Sequence, residues 1–157
     1  LIRTLELEDV TVLCGTLTHE DVIGHYRDSD LFILGCKIAR NGDRDGIPNV
    51  MAESMAMGVP VVATNVSGIP EFLEDRVSGI MVVPDDVEAL ARGIESGLSD
   101  DALRHQMAVE ARKRVETDFD NQAKIRDLAR VYASQIPGLG IDPDFSAPPD
   151  STSFSKG

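Results

Sequence analysis

Short apolar runs alternate with helical patterns through the first half of the chain. Four runs have the length and continuity of buried strands: VTVLC at 10–14, DLFILGC at 30–36, VPVVATN at 59–65 and GIMVVP at 79–84. This alternation predicts an α/β fold, in which a Rossmann-like parallel sheet carries helices on both faces. Ligands bind such sheets beyond the carboxyl ends of the strands, so the loops that follow the four runs should lie together.

The helix after the first run has a recognisable start. Thr18 and Asp21 have the spacing of a capping box, in which each side chain bonds the backbone N–H group of the other residue. Val22, Ile23 and Tyr26 fall on one face of this helix and are expected to form its inner side.

After residue 84 the pattern becomes helical. Asp85 and Asp86 can cap the first of three helices, and the third starts near Asp120. Each helix carries apolar residues at helical spacing, which we interpret as core faces: Val87, Leu90, Ala91, Ile94 and Leu98; Leu103, Met107, Ala111 and Val115; Ile125, Leu128, Ala129 and Tyr132. From residue 136 the chain is rich in Pro, Gly, Ser and Asp, which predicts a disordered tail at 136–157 after one domain at 1–135.

Composition narrows the class of protein. The 157 residues suit one domain, and a formal net charge of −12 argues against nucleic acid as a partner. Cys14 and Cys36 each end an apolar run and are expected to be buried free thiols in a reducing compartment. Without a signal peptide or an apolar run of membrane length, the sequence favours a cytoplasmic protein with no transmembrane segment. Because the sequence starts at Leu1 and not at Met, we expect a fragment.

The most informative stretch is a helix start near residue 48. Pro48 suits the first helical position, because its φ angle is already helical and its nitrogen carries no hydrogen that would lack a partner. Ile47 has no side-chain oxygen, so the N–H groups of Asn49, Val50 and Met51 lack a capping partner. A phosphate group would supply one, since the helix dipole favours an anion there by about 0.3–1 kcal/mol.

Polar and charged residues flank this helix start. Gly46 lets a ligand approach the backbone, and Glu53, one turn further in, can accept hydrogen bonds from sugar hydroxyls. Lys37, Arg40 and Arg44 either counter the charge of a diphosphate or pair with neighbouring acids on the surface. A purely structural alternative also stays open, namely a helix that begins at an Ile-Pro dipeptide beside an Asp-Gly turn.

Metal and nucleophile chemistry is disfavoured by residue spacing. Residues 41–46 match the first half of a calcium loop, but its twelfth position is Ala52 and a strand precedes it. His19, His25 and His105 have no metal-ligand spacing with cysteine or carboxylate. The chain also lacks a G-x-S-x-G elbow, a Walker A loop and a G-x-G-x-x-G motif. We therefore expect no metal and no cofactor.

Four segments together resemble the donor-binding half of retaining, GT-B type glycosyltransferases. They are DGIPNVMAES, GVPVVAT, SGIPE and GIMVVPDD. This large family includes sucrose and glycogen synthases and many bacterial mannosyl- and glucosyltransferases. The likeness runs from about residue 1 to residue 132. It implies the C-terminal half of a GT-B fold, incomplete at its N-terminus. It also implies metal-independent transfer of a sugar from a nucleoside diphosphate sugar to an acceptor hydroxyl with retention.

The resemblance assigns roles through the family's E-x7-E motif. Asp45 stands at the first acidic position, against the hydroxyls of the transferred sugar, and Glu53 stands at the second, which holds the ribose. These two are the candidate catalytic residues. The resemblance places further backbone around the sugar and diphosphate, at Gly46, Ile47, Pro48, Asn49 and Val50, and around the base, at Gly15, Thr16 and Leu17.

This sequence departs from the family at two places. Asp45 replaces the usual Glu, and Gly35-Cys36 replaces a Pro-Ser pair, so the identity of the sugar stays open. The family also has an N-terminal acceptor-binding domain and a basic Arg and Lys that precede the stretch seen here. We therefore expect the chain alone to bind donor weakly and to be inactive, and the full-length enzyme is compatible with peripheral association with a membrane.

Two other functions stay open at the level of sequence. One is a GT-B type sugar-nucleotide epimerase, although no His or Glu cluster stands out for acid-base work. The other is a non-catalytic nucleotide-sugar-binding or interaction module, for which the apolar stripe on the last helix would be the surface to test.

Overall fold

The computed structural model describes residues 1–44, 46–136, 138 and 140, and of Asn121 only the backbone. Within these residues a parallel sheet has the strand order β1, β2, β3, which are Phe32–Leu34, Val61–Thr64 and Ile80–Val82. The helices are α1 His19–Arg27, α2 Asn49–Ala56, α3 Ile69–Phe72, α4 Val87–Ser99, α5 Asp101–Asp118 and α6 Asn121–Gln135. The predicted α/β fold with a parallel sheet is confirmed.

Side chains of the central strand β2 alternate between two cores, one on each face of the sheet. Val61 and Ala63 pack with Met51 and Met55 of α2. Val62 points to the other face, where it packs with a cluster of buried residues from β3 and α5 and with half-buried residues of α4: Ile80, Val82, Met107, Ala89 and Leu90. Helices therefore cover both faces, as predicted, and the second apolar stripe is confirmed as a core face because Met107 and Ala111 are fully buried.

The inner face of α4 differs from its predicted stripe. Val87 and Leu98 are 78% and 50% exposed, whereas Gly93 and Gly97 are buried. A Cβ atom on Gly93 would lie 3.0 Å from Val82 Cγ1, so the glycine lets the helix lie close to the sheet. The apolar spacing identified Leu90, which packs against the core, but missed the part of this face that is formed by the two glycines.

Helix caps agree with the sequence at three starts. Thr18 and Asp21 form the predicted capping box, each side chain accepting the other's backbone N–H at 3.2 Å. Asp86 accepts the N–H of Ala89 at 2.8 Å, and Asp120 caps α6. Asp85 does not cap α4 and instead has a positive φ of 58° just before it.

The first predicted strand, at 10–14, is wrong. Val10 ends a short 3-10 helix, Glu8–Val10, and residues 11–14 have no regular structure. Val12 and Leu13 are more than four-fifths exposed. Strands require a hydrogen-bonded neighbour, and within the described residues the sheet pairs β1 only with β2. Cys14, expected to be buried, is exposed, while Cys36 is half-buried, and neither forms a disulfide.

The last helix confirms one expectation and corrects another. Helix α6 forms where predicted, but Ile125, Leu128 and Tyr132 are 47%, 54% and 45% exposed, so its stripe is not a core face. The predicted disordered tail falls largely outside the described residues. Among the helices that the structure describes, none combines the length and apolarity needed to cross a bilayer.

Candidate functional site

Helix α2 begins without a side-chain cap. Pro48 is its N-cap residue, with ψ of 125°, so it precedes the helix and does not occupy the predicted first helical position. The Pro48 carbonyl accepts the N–H of Met51 at 3.0 Å, so that amide is bonded and the prediction for it was wrong. The N–H groups of Asn49 and Val50 have no hydrogen-bond partner among the described residues. Both residues are exposed, so two backbone donors at a helix N-terminus are available to an anion.

Glu53, on the first turns of α2, is held by Tyr26 of α1. The Tyr26 Oη atom donates toward two acceptors, Val50 O at 3.1 Å and Glu53 Oε2 at 3.3 Å. Its ring packs edge-on against Phe32 with 5.8 Å between centroids, and only 6% of Tyr26 is exposed. Tyr26 is buried as predicted, but its contact with Glu53 was missed. The available signal was a tyrosine at a core position, because a buried hydroxyl requires a partner.

The buried Tyr26 hydroxyl makes folding sensitive to high pH. Burial first, and then the charge of Glu53 and the hydrogen bond to it, raise the pKa of Tyr26 from 10.0 to about 12. The folded state then keeps a proton that the unfolded chain releases, so this contribution to stability is complete below pH 10 and is lost as the pH rises through 12. We expect the free energy of unfolding to fall by about 2–3 kcal/mol over this range.

Urea denaturation at intervals from pH 9 to pH 12 measures this effect. The Tyr26→Phe variant keeps the ring but loses the titrating hydroxyl, so it should be less stable below pH 10 and lose less stability above it. Parallel pH profiles for the two proteins would contradict the assignment.

A cleft of about 510 Å³ opens beside the start of α2. It lies between the loops that follow β1 and β2 and is lined by Ile38, Arg44, Gly46, Ile47, Ser67, Gly68 and Glu71. The two loops touch, since a Cβ atom on Gly68 would lie 2.9 Å from Ile47 Cγ1 and 3.2 Å from both the carbonyl carbon and the oxygen of Gly46. The cleft thus combines backbone of the predicted site with the loop after β2, which the strand pattern had placed at the same edge of the sheet.

Other loops at the carboxyl ends of the strands also meet. Thr64 Oγ1 donates to the carbonyl of Cys36 at 2.6 Å, which joins the ends of β1 and β2. Asp85 and Asp86, after β3, line a smaller pocket with Thr64 and Lys37. Three of the four predicted loops therefore lie together.

The loop before α1 does not join this cleft. Gly15 and Thr16 are exposed and Leu17 is half-buried, and none of the three lines it. Their role in holding a base stays a prediction. The same is true of Asp45, which lies outside the described residues.

The basic residues near the site differ in position. Arg44 lines the cleft, Lys37 lines the smaller pocket and Arg40 is exposed. None of the three forms an ion pair with any residue that the structure describes, so the surface-pairing alternative gains no support there.

The segment that resembles a calcium loop closes on itself. Asn41 Oδ1 accepts the N–H of Asp43 at 3.1 Å, and the Asp43 carbonyl accepts the N–H of Ala39 at 2.9 Å. Within the described ranges no group of three or more His, Cys, Asp or Glu side chains could hold a metal ion. Because Asp45 is not among them, metal independence stays a prediction.

Ser67 is a polar residue of the cleft that sequence reasoning missed. It has a φ of 52°, and its Oγ atom is buried without a hydrogen-bond partner among the described residues. Leaving a buried hydroxyl unbonded costs about 1–3 kcal/mol. Its signals in the sequence were its place in the SGIPE segment and in the loop after the run at 59–65.

Sequence comparison connects this geometry to known proteins. A family model described as glycosyl transferases group 1 matches residues 1–114. WcaL of Escherichia coli strain K12, named as a colanic acid biosynthesis glycosyltransferase, is 40% identical over 133 residues, which are 83% of this chain and 32% of WcaL. The amylovoran biosynthesis glycosyltransferase AmsK of Erwinia amylovora is 36% identical over 126 residues, 80% of this chain and 31% of AmsK. The chain therefore spans about a third of the length of these relatives.

Comparison with solved structures gives the same result. Anabaena Alr3699/HepE in complex with UDP superposes with a TM-score of 0.75 at 25% identity, over 85% of this chain and 35% of that protein. Sucrose-phosphate synthase from Thermosynechococcus elongatus has a TM-score of 0.70 at 25% identity, over 85% of this chain and 32% of its own. The family match includes both loops of the cleft and all of α2. The chain belongs to the glycosyl transferases group 1 family and forms a C-terminal domain of the GT-B type.

Proposed function

We propose that this domain binds the nucleoside diphosphate sugar used by a metal-independent, retaining glycosyltransferase. The observation that carries the proposal is the start of α2, where the N–H groups of Asn49 and Val50 have no partner among the described residues. Solved neighbours that bind UDP and UDP-glucose support the same ligand class here. The complete enzyme would transfer the sugar to an acceptor hydroxyl.

The chemistry of the transfer explains how this helix start would assist catalysis. The bond between the anomeric carbon and the oxygen of the terminal phosphate breaks, and the electron pair leaves with the diphosphate. The acceptor oxygen bonds the same face of that carbon and passes its proton to an oxygen of the departing diphosphate. In the proposed complex the amides of Asn49 and Val50 and the dipole of α2 stabilise the charge that develops on the diphosphate. Catalysis is then electrostatic and positional, and no side chain forms a covalent bond with the sugar.

Glu53 supplies the second part of the proposed donor site. Tyr26 bonds its Oε2 atom, which leaves Oε1 able to accept a hydrogen bond from a ribose hydroxyl. Because Tyr26 is buried and packed against Phe32, it also limits the orientations that Glu53 can take. Asp45, at the other end of the motif, keeps its proposed role of orienting the hydroxyls of the transferred sugar.

Calorimetric titration with UDP, GDP and ADP, each beside its own nucleoside, tests the proposal. We expect one nucleoside diphosphate to bind weakly, in the presence of a metal chelator, and to bind at least about tenfold more tightly than its nucleoside. Added salt should weaken binding because the interaction is with charge. The proposal would be wrong if nucleoside and nucleoside diphosphate bound equally, or if no nucleotide bound.

A further inference from the structure

Ser67 lines the cleft, and none of the described residues bonds its hydroxyl. Its Oγ atom is buried, although the residue as a whole is only half-buried. Buried hydroxyls in folded proteins are nearly always bonded, so an unbonded one at the edge of a binding cleft calls for an explanation. Because a serine side chain has three staggered positions about Cα–Cβ, the hydroxyl has orientations other than the buried one.

The backbone of Ser67 is strained in a way that glycine would relieve. Its φ of 52° lies in the left-handed region, which side chains with a Cβ atom adopt at a cost. The next residue, Gly68, has a φ of −83°, so the glycine of this Ser-Gly pair is not at the position with positive φ. Position 68 requires a glycine because a Cβ atom there would lie too close to Gly46 and Ile47. This packing places Ser67 directly beside the backbone of the proposed donor site.

The charges around Ser67 favour a neutral, hydroxyl-rich group over a phosphate. Arg44 and Glu71 both line the cleft, and no ion pair joins them. A phosphate would gain from Arg44 but would be repelled by the carboxylate of Glu71. Sugar hydroxyls both donate and accept, so a sugar can bond a guanidinium, a carboxylate and the Ser67 hydroxyl together.

We propose that Ser67 hydrogen-bonds a hydroxyl group of the transferred sugar and helps to select that sugar, in a subsite walled by Arg44 and Glu71. This inference rests on the proposed function, since it assumes that the diphosphate of the same donor lies at the start of α2. The subsite contributes to the binding of the nucleotide sugar and does not contribute to the binding of the nucleoside diphosphate alone.

Two substitutions distinguish the effect of the Ser67 hydroxyl from the effect of its strained backbone. Ser67→Ala removes the hydroxyl and keeps the strained φ, whereas Ser67→Gly removes the hydroxyl and relieves the strain. Each variant and the unchanged chain are titrated with UDP and UDP-glucose, GDP and GDP-mannose, and ADP and ADP-glucose. Thermal unfolding of the three proteins, without ligand, reports any change in stability.

We expect both variants to bind the nucleoside diphosphate within about twofold of the unchanged chain and to bind its nucleotide sugar about five- to tenfold more weakly. Ser67→Gly should unfold at a higher temperature than Ser67→Ala. If both variants bind the nucleotide sugar as tightly as the unchanged chain, the role of Ser67 is overturned and the proposed function is not. Equal weakening for the diphosphate and the nucleotide sugar also overturns it, because Ser67 would then contact the phosphates. Failure of the unchanged chain to bind any of the six compounds would instead overturn the proposed function.

Discussion

Replacing Glu53 with alanine should weaken nucleoside diphosphate binding by about 10–100-fold. A hydrogen bond from a ribose hydroxyl to a carboxylate contributes about 1.5–3 kcal/mol, and each 1.4 kcal/mol corresponds to a factor of ten in affinity. The fold should tolerate the change, because the Tyr26 hydroxyl that now donates toward Glu53 also lies 3.1 Å from Val50 O and keeps that acceptor. Titration calorimetry gives the affinity and urea denaturation gives the stability.

Glu53→Gln is the matched control for this experiment. The amide has nearly the same size and keeps one oxygen acceptor, but it lacks the charge, so its loss of affinity should be intermediate. If Glu53→Ala bound the nucleotide as tightly as the unchanged chain, Glu53 would be removed from the donor site. If the three proteins differed in the free energy of unfolding as much as in the free energy of binding, the loss of affinity would be a result of lost folding.

Replacing Gly68 with alanine should damage both stability and binding through a lack of space. The added Cβ atom would lie 2.9 Å from Ile47 Cγ1 and 3.2 Å from the backbone of Gly46. The φ of Gly68 is −83°, which alanine adopts freely, so backbone strain does not contribute. Such overpacking costs about 1–3 kcal/mol of stability and should move the loop that carries Gly46 and Ile47. We expect the affinity for the nucleoside diphosphate to fall about tenfold.

Gly24→Ala provides the opposite case in the same chain. A Cβ atom on Gly24 would meet nothing within 4 Å, and the residue lies inside α1. Alanine there should stabilise the protein by about 0.5–1 kcal/mol and leave nucleotide affinity unchanged. Equal behaviour of Gly68→Ala and Gly24→Ala would show that the two loops of the cleft are not tightly packed.

Features that depend on neighbouring residues were predicted well from the sequence. The capping box at Thr18 and the caps at Asp86 and Asp120 involve contacts two or three residues away, so spacing alone reveals them. The run at 59–65 became the buried central strand, because continuous apolar residues suit a position covered on both faces.

Several individual contacts between residues distant in the sequence were not predicted. The run at 10–14 has the composition of a strand, yet composition cannot supply a hydrogen-bonded neighbour, and Val12 and Leu13 are exposed. The contact face of α4 centres on Gly93 and Gly97, which have no hydrophobic side chain to reveal it.

In the candidate site, too, local features were predicted from the sequence, whereas individual contacts between distant residues were not. The uncapped start of α2 was visible in the sequence as Ile47-Pro48, although the helix begins one residue later than predicted. The loops after β1 and β2 meet as predicted, because parallel strands bring their carboxyl ends to one edge, but the close approach of Gly68 to Gly46 was not foreseen. The link from Tyr26 to Glu53 joins residues 27 positions apart. Periodicity carries no information about such contacts.

The most direct measurement is of the backbone N–H groups of Asn49 and Val50 by two-dimensional NMR of the nitrogen-15-labelled chain. On titration with the nucleoside diphosphate that binds in calorimetry, both signals should shift and saturate at the calorimetric affinity. The matching nucleoside, which has no phosphate, should leave them in place. If the nucleotide binds while both signals stay unchanged, the diphosphate does not lie at the start of α2 and the proposed donor site is wrong.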